Sequence, residues 1–146
     1  MAASISVWRA ARPALWLAGI VSAAQTGLSY ADLIVAPSVR DTPLIGLLWE
    51  SPIFAIAAWA GWLVAATEGG LFRAGWGGLL VFFIAHPVIH GVAFILDAMF
   101  SGMADLPLVL GGVLFSFLIF SPVFFGAGLV GAMLARATSN LRGRAT

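Results

Sequence analysis

The sequence predicts an all-α fold, a polytopic membrane protein built as a bundle of four transmembrane helices. Three observations predict it. Hydrophobic residues make up 62% of the 146 residues and charged ones only 9%, where a soluble domain runs nearer half apolar and a quarter charged. Mean hydropathy is +1.06, and a water-soluble fold this small has too much surface to cover with so few charges. The apolar residues also gather into four runs, each at or beyond the roughly 20 residues needed to cross a bilayer.

The first run spans roughly 13–36, PALWLAGIVSAAQTGLSYADLIVA. Arg9 and Arg12 followed by PALWLAGIVSAA, with Ser22 and Ala24 placed for cleavage, also fit a signal peptide over residues 1–24. We read the segment as an uncleaved first helix. The second run is roughly 43–67, PLIGLLWESPIFAIAAWAGWLVAAT. Within it, Glu50-Ser51-Pro52 also reads as a helix start, with Ser51 as N-cap and Pro52 in the first turn. The third run is roughly 75–100. The fourth, roughly 107–136, is long enough to tilt, or to kink at Pro122. The connections are short, as between antiparallel neighbours, so residues 1–146 read as a single transmembrane domain.

Charge and cysteine content narrow the function classes. The net charge is +1 and all seven basic residues are Arg, which provides no nucleic-acid signature. The absence of Cys excludes disulfides, thiolate metal sites, iron–sulfur clusters and covalent c-type haem attachment. Arginine placement predicts orientation. Arg9 and Arg12 precede the first run, Arg73 lies between the second and third, and Arg136, Arg142 and Arg144 close the chain. Of the other two connections, one has Arg40 beside Asp41 and the other has Asp105 without Arg. Both termini are therefore expected on the cytoplasmic side of a cell inner membrane crossed several times. Trp8, Trp16, Trp62 and Trp76 then fall near the inner interface, with Tyr30 and Trp49 nearer the outer one, an aromatic-belt pattern.

Two patterns concern packing. SPIFAIAAWAGWLVA at 51–65 aligns without gaps to SPVFFGAGLVGAMLA at 121–135, sharing Ser, Pro, Phe, Ala, Gly and Ala. Small residues and Pro recur in membrane helices anyway, and the first and third runs do not match in that register. Gly126, Gly128, Gly131 and Ala135 put small residues on the fourth helix, permitting close contact within the chain or between subunits.

Ionisable groups at membrane depth are costly unless they face the protein interior or water. On the third helix His86, His90 and Asp97 stand at i, i+4 and i+11, within roughly 40° of one another on a helical wheel. On the first, Ser22, Gln25, Ser29 and Asp32 form a second stripe. The second contributes Glu50 and the fourth Ser116 and Ser121. In the expected orientation the histidines are the deep end of a polar cleft open to the outer side, with Asp32, Glu50 and Asp97 at its mouth. Interfacial helix ends equally explain Asp32 and Asp97, and a satisfied structural role equally explains the histidines. Pro87 removes an intrahelical hydrogen bond near His86. An i, i+4 His pair suits a divalent metal held by His86 and His90, a haem iron or a quinone carbonyl, or a proton relay with the carboxylates. The residues do not choose among these cofactors.

Two resemblances add expectations. Glu50, Pro52 and Phe54, with His90 and Phe94, resemble the Glu-Asn-x-Pro-x-Phe and His-x-x-x-Tyr segments of the membrane-associated eicosanoid and glutathione metabolism family, once one residue is deleted from the first segment. The family's Arg and Asn before the Glu are absent, Pro87 stands where it has Arg, and Phe94 replaces its Tyr. The resemblance implies a four-helix, trimeric fold and an enzyme acting on a lipophilic substrate. His86, Gly91 and Asp97 resemble the haem-ligating segment of succinate dehydrogenase membrane-anchor subunits, with the Gly displaced by one. That resemblance implies a subunit of a larger membrane complex. From the residues themselves, the leading expectation is a non-enzymatic membrane subunit or small carrier centred on His86, His90, Asp97 and Glu50, with Gln25 and Asp32 contributing. Its partners would be the lipid bilayer and further copies or a larger complex. A purely structural bundle is the alternative.

Overall fold

The computed structural model describes residues 2–30, 43–100 and 106–143. Regular structure among them is wholly α-helical: α1 (Ala2–Tyr30), α2 (Pro43–Glu68), α3 (Leu71–Phe100) and α4 (Leu106–Gly143). Asp32, Arg40, Asp41 and Asp105 lie outside the described residues.

One boundary differs from the sequence expectation: the first helix does not start at Pro13 but runs through it from Ala2. The second helix, Pro43–Glu68, agrees with the expected run, and the alternative start at Ser51–Pro52 is not taken, since Pro52 lies inside α2. Each helix holds one internal proline: Pro13, Pro52, Pro87 and Pro122. All four are exposed on the outer surface of the bundle. A proline inside a helix removes one amide donor and crowds the carbonyl four residues earlier. With the ring outward, the opposite face of each helix still packs in the bundle, and that packing, which supplies most helical stability, carries the helix through. The fourth helix likewise continues past Arg136 to Gly143.

Gly69 and Gly70 join α2 to α3, with φ of 62° and 99°. A side chain is disfavoured at positive φ, so two glycines reverse the chain in two residues. The Ala74 amide then donates to the Gly70 carbonyl at 3.2 Å as α3 begins.

Helices α2 and α3 pack on each other and on both outer helices, while α1 and α4 do not meet among the described residues. The bundle is two triangles sharing the α2–α3 edge. Glycine sets the register of the α4 triangle. A Cβ on Gly61 would fall on the Gly128 carbonyl, and one on Gly131 would fall on the Ala58 carbonyl. One on Gly78 would lie 2.7 Å from the Gly128 nitrogen, and one on Gly77 2.9 Å from Val64. Backbones here touch directly, as small residues allow between membrane helices. The aligned segments 51–65 and 121–135 meet reciprocally. Phe54 packs on Phe124 with ring centroids 4.9 Å apart. Position 61 meets 128 while 131 meets 58, so α2 and α4 run parallel with equivalent residues exchanging contacts.

The described core is small-residue rich: Ala11, Ala14 and Ala18 of α1, Ala57, Ala60 and Val64 of α2, and Val81 and Ala85 of α3, closed by Phe82 and Phe124. The α1 residues share this core, so α1 is part of the folded unit. Two stretches are long and apolar enough to cross a membrane, Leu71–Leu96 and Phe117–Asn140, and Ser51–Thr67 is a shorter apolar stretch. Only 17% and 22% of the 18-residue apolar window within each long stretch is buried in the bundle. The core helix of a soluble protein would be mostly buried. Instead Leu114, Phe115, Leu118, Met133 and Leu134 stand on the outside of α4.

Candidate functional site: a histidine pair in an apolar cleft

Positions 86 and 90 of α3 are one turn apart on one face, which brings their side chains together. The two imidazoles meet with Nε2 atoms 3.1 Å apart, ring centroids 4.4 Å apart and planes at 80°. One ring donates its Nε2–H to the bare Nε2 of the other, so the accepting ring carries its proton on Nδ1. One turn earlier, Phe82 stacks on His86 at 4.8 Å and 20°. The ring of Phe82 is held in turn by Phe124, at 5.1 Å, and Phe117, at 5.8 Å.

The pair lies in a cleft of about 200 Å³ walled by Ile53 of α2, by Phe82, Ala85 and Ile89 of α3, and by Phe120 and Phe124 of α4. Both histidines are half-buried, and every other wall side chain among the described residues is apolar. Three helices build the site and α1 contributes nothing to its lining.

The remaining predicted site residues fall elsewhere. Glu50 lies on α2 one turn before Ile53, and Asp97 lies near the end of α3, but the side chains of both, like Asp32, are outside the described residues. Gln25 is half-buried on α1 and does not line the cleft. The predicted α1 stripe divides. Ser22 is fully buried and its Oγ has no hydrogen-bond partner among the described residues, while Thr26 is buried and donates to the Ser22 carbonyl at 2.9 Å. Sequence reasoning passed over Thr26, although its i+4 spacing from Ser22 was legible. It also missed Phe82, one turn before His86, and the α2 and α4 walls, which no local spacing announces.

Chemically, the pair can share a proton or chelate a cation. Two nitrogens each about 2.0–2.1 Å from a tetrahedral metal stand roughly 3.3–3.4 Å apart, close to the 3.1 Å seen here. Among the described residues no group of three or more His, Cys, Asp or Glu forms a metal cluster. The cleft is smaller than the roughly 300–1,000 Å³ typical of pockets for small organic molecules. A proton or a hydrated ion fits that space better than a haem or quinone ring.

No protein-family model, curated protein or solved structure matches this chain. The functional reading therefore rests on the chemistry of the cleft.

Proposed function

We propose that the protein is an integral membrane protein of four spans, and that its histidine pair passes a proton or a small divalent cation through the outer half of the bilayer. Helix length supports the four spans. Helices α1 and α2, with 29 and 26 residues, extend about 43 and 39 Å at 1.5 Å per residue, beyond the roughly 30 Å hydrocarbon core. Charge supports the orientation. Arg9, Arg12, Arg73 and Arg136 cluster at the end of the bundle where α1 and α3 begin and α2 and α4 finish, and the arginine rule favours the cytoplasm for that end.

The observation that carries the function is the Nε2–Nε2 contact of 3.1 Å inside a cleft whose other described wall residues are apolar. An imidazole in hydrocarbon is costly without a partner, and here each ring supplies the other's. Such a pair is poised for exchange, because protonation or metal binding replaces one hydrogen bond by another interaction of the same two atoms. The glycine-packed half of the bundle forms the floor, and Glu50 and Asp97 would serve the mouth. A haem-bearing subunit, or an enzyme holding glutathione beside a lipophilic substrate, would need more room than about 200 Å³.

The test is flux in liposomes reconstituted with purified protein, read by a pH-sensitive dye and a Zn²⁺-sensitive dye. The wild type should carry one of the two. His90→Ala should abolish that flux, and so should His86→Leu with His90→Leu. The double variant should fold as well as the wild type, since two polar groups leave an apolar site. A folded double variant with full flux, or a wild type inert to both probes, would refute the reading.

A further inference from the structure

On the opposite side of α3 from the histidines, a groove of about 660 Å³ runs between α1 and α3. Ile84 and Val88 form its α3 wall, each two residues, or about 200°, from His86. The α1 wall is Trp8, Arg12, Trp16, Ile20 and Ala23, with Gly19 between the helices. Positions 8, 12, 16 and 20 follow one another turn by turn, so they make a single strip along the helix. The groove owes its depth to Gly19. A Cβ there would reach Ile84 only at 3.7 Å, so a methyl group fits and a longer side chain fills the space.

We propose that this groove binds one anionic phospholipid, its acyl chain lying along Trp16, Ile20 and Ala23 and its phosphate on Arg12. Three features select that occupant. Arg12 to Ala23 spans about 16 Å of helix, the depth of one leaflet's hydrocarbon, about half of 30 Å. Among the described residues Arg12 is the groove's one charged residue, and it lies at the end of the bundle that also holds Arg9, Arg73 and Arg136, so charge favours a negative headgroup. Trp8 and Trp16 bracket Arg12 one turn to either side, and amphipathic indoles belong at headgroup depth. The guanidinium fork matches phosphate oxygens bidentately. The inference rests on the membrane reading but not on the histidine site.

Flotation with liposomes comes first, using phosphatidylcholine alone and with one-fifth phosphatidylglycerol of the same chains. Failure to float with either overturns both the membrane reading and the lipid site. Delipidated protein is then titrated in mild detergent with each lipid and with inorganic phosphate, and bound copies are counted by native mass spectrometry. One phosphatidylglycerol should be retained in preference to phosphatidylcholine, with free phosphate ineffective. Arg12→Gln should weaken that preference about five-fold, the worth of one Arg at an anionic surface. Gly19→Leu should abolish retention of phosphatidylglycerol while leaving the unfolding midpoint unchanged, and Gly19→Ala should leave retention intact. Should Gly19→Leu not fold, Arg12→Gln alone decides. Equal retention of both lipids, a preference untouched by Arg12→Gln, or a dimer that Gly19→Leu dissociates would overturn the proposal.

Discussion

Gly131 and Gly126 stand five residues apart on one helix, and alanine should move stability in opposite directions at the two. A Cβ at Gly131 would fall on the Ala58 carbonyl, 2.7 Å from the Ala58 carbonyl carbon and 2.8 Å from the Trp62 nitrogen. Ordinary contact begins at 3.4 Å, and backbone cannot step aside as a side chain can, so α2 and α4 must part by more than 0.7 Å, because the Ala58 carbonyl oxygen lies closer still. A gap of that size forfeits about half of each dispersion contact, and some 40 contacts of about 0.1–0.2 kcal/mol each amount to about 4–8 kcal/mol. The loss is about 2–4 kcal/mol, in line with the usual penalty for overpacking. Against it stands about 0.5–1 kcal/mol that alanine gains over glycine within a helix, leaving Gly131→Ala destabilised by about 1–3 kcal/mol. At Gly126 a Cβ meets nothing within 4 Å, so Gly126→Ala should gain the helix preference alone, about 0.5–1 kcal/mol. Equilibrium unfolding in mixed mild and denaturing micelles, followed by tryptophan fluorescence, measures both. Shifts of the same sign would refute the backbone-contact reasoning, and so would a neutral Gly131→Ala.

Phe124 is buried against Phe54 and Phe82. Phe124→Ala should cost about 3–5 kcal/mol by opening a cavity and should loosen the cleft wall, seen as lower thermal stability together with lost flux; a stable, active variant would count against that wall. In the α2–α3 turn, Gly69→Ala should cost about 1–2 kcal/mol for its left-handed backbone, whereas Gly69→Asn should cost less, and equal midpoints for the two in thermal unfolding would contradict the conformational argument. The cysteine-free chain suits single-cysteine mapping. Ser38→Cys and Ala104→Cys should react with an impermeant thiol reagent from outside intact cells and Gly70→Cys should not; the reverse pattern would overturn the orientation.

Much of this protein follows from residues near one another in sequence. Composition and run length define apolar helices, because the cost of exposing apolar surface adds up residue by residue along one segment. The i, i+4 spacing of His86 and His90 likewise forces their rings together, since both belong to one helix and no partner is needed to place them. Pro13 does not open the first helix, and the alternative start at Ser51–Pro52 is not taken, because continuing a helix past a proline depends on how its other face packs, which is a property of the bundle. The same holds for glycine. Gly126, Gly128 and Gly131 are alike in sequence, yet Gly128 and Gly131 meet neighbouring backbone and Gly126 meets nothing. The aligned segments 51–65 and 121–135 are a fact of sequence, but their reciprocal contact through Phe54–Phe124 and Gly61–Gly128 is not. Nor did any spacing announce that Ile53, Phe120 and Phe124 would wall the histidine cleft, or that α1 would stay out of it. Tertiary structure decided these points because they depend on the rotation and register of one helix against another. Those two quantities come from packing between residues dozens of positions apart, which no single segment encodes.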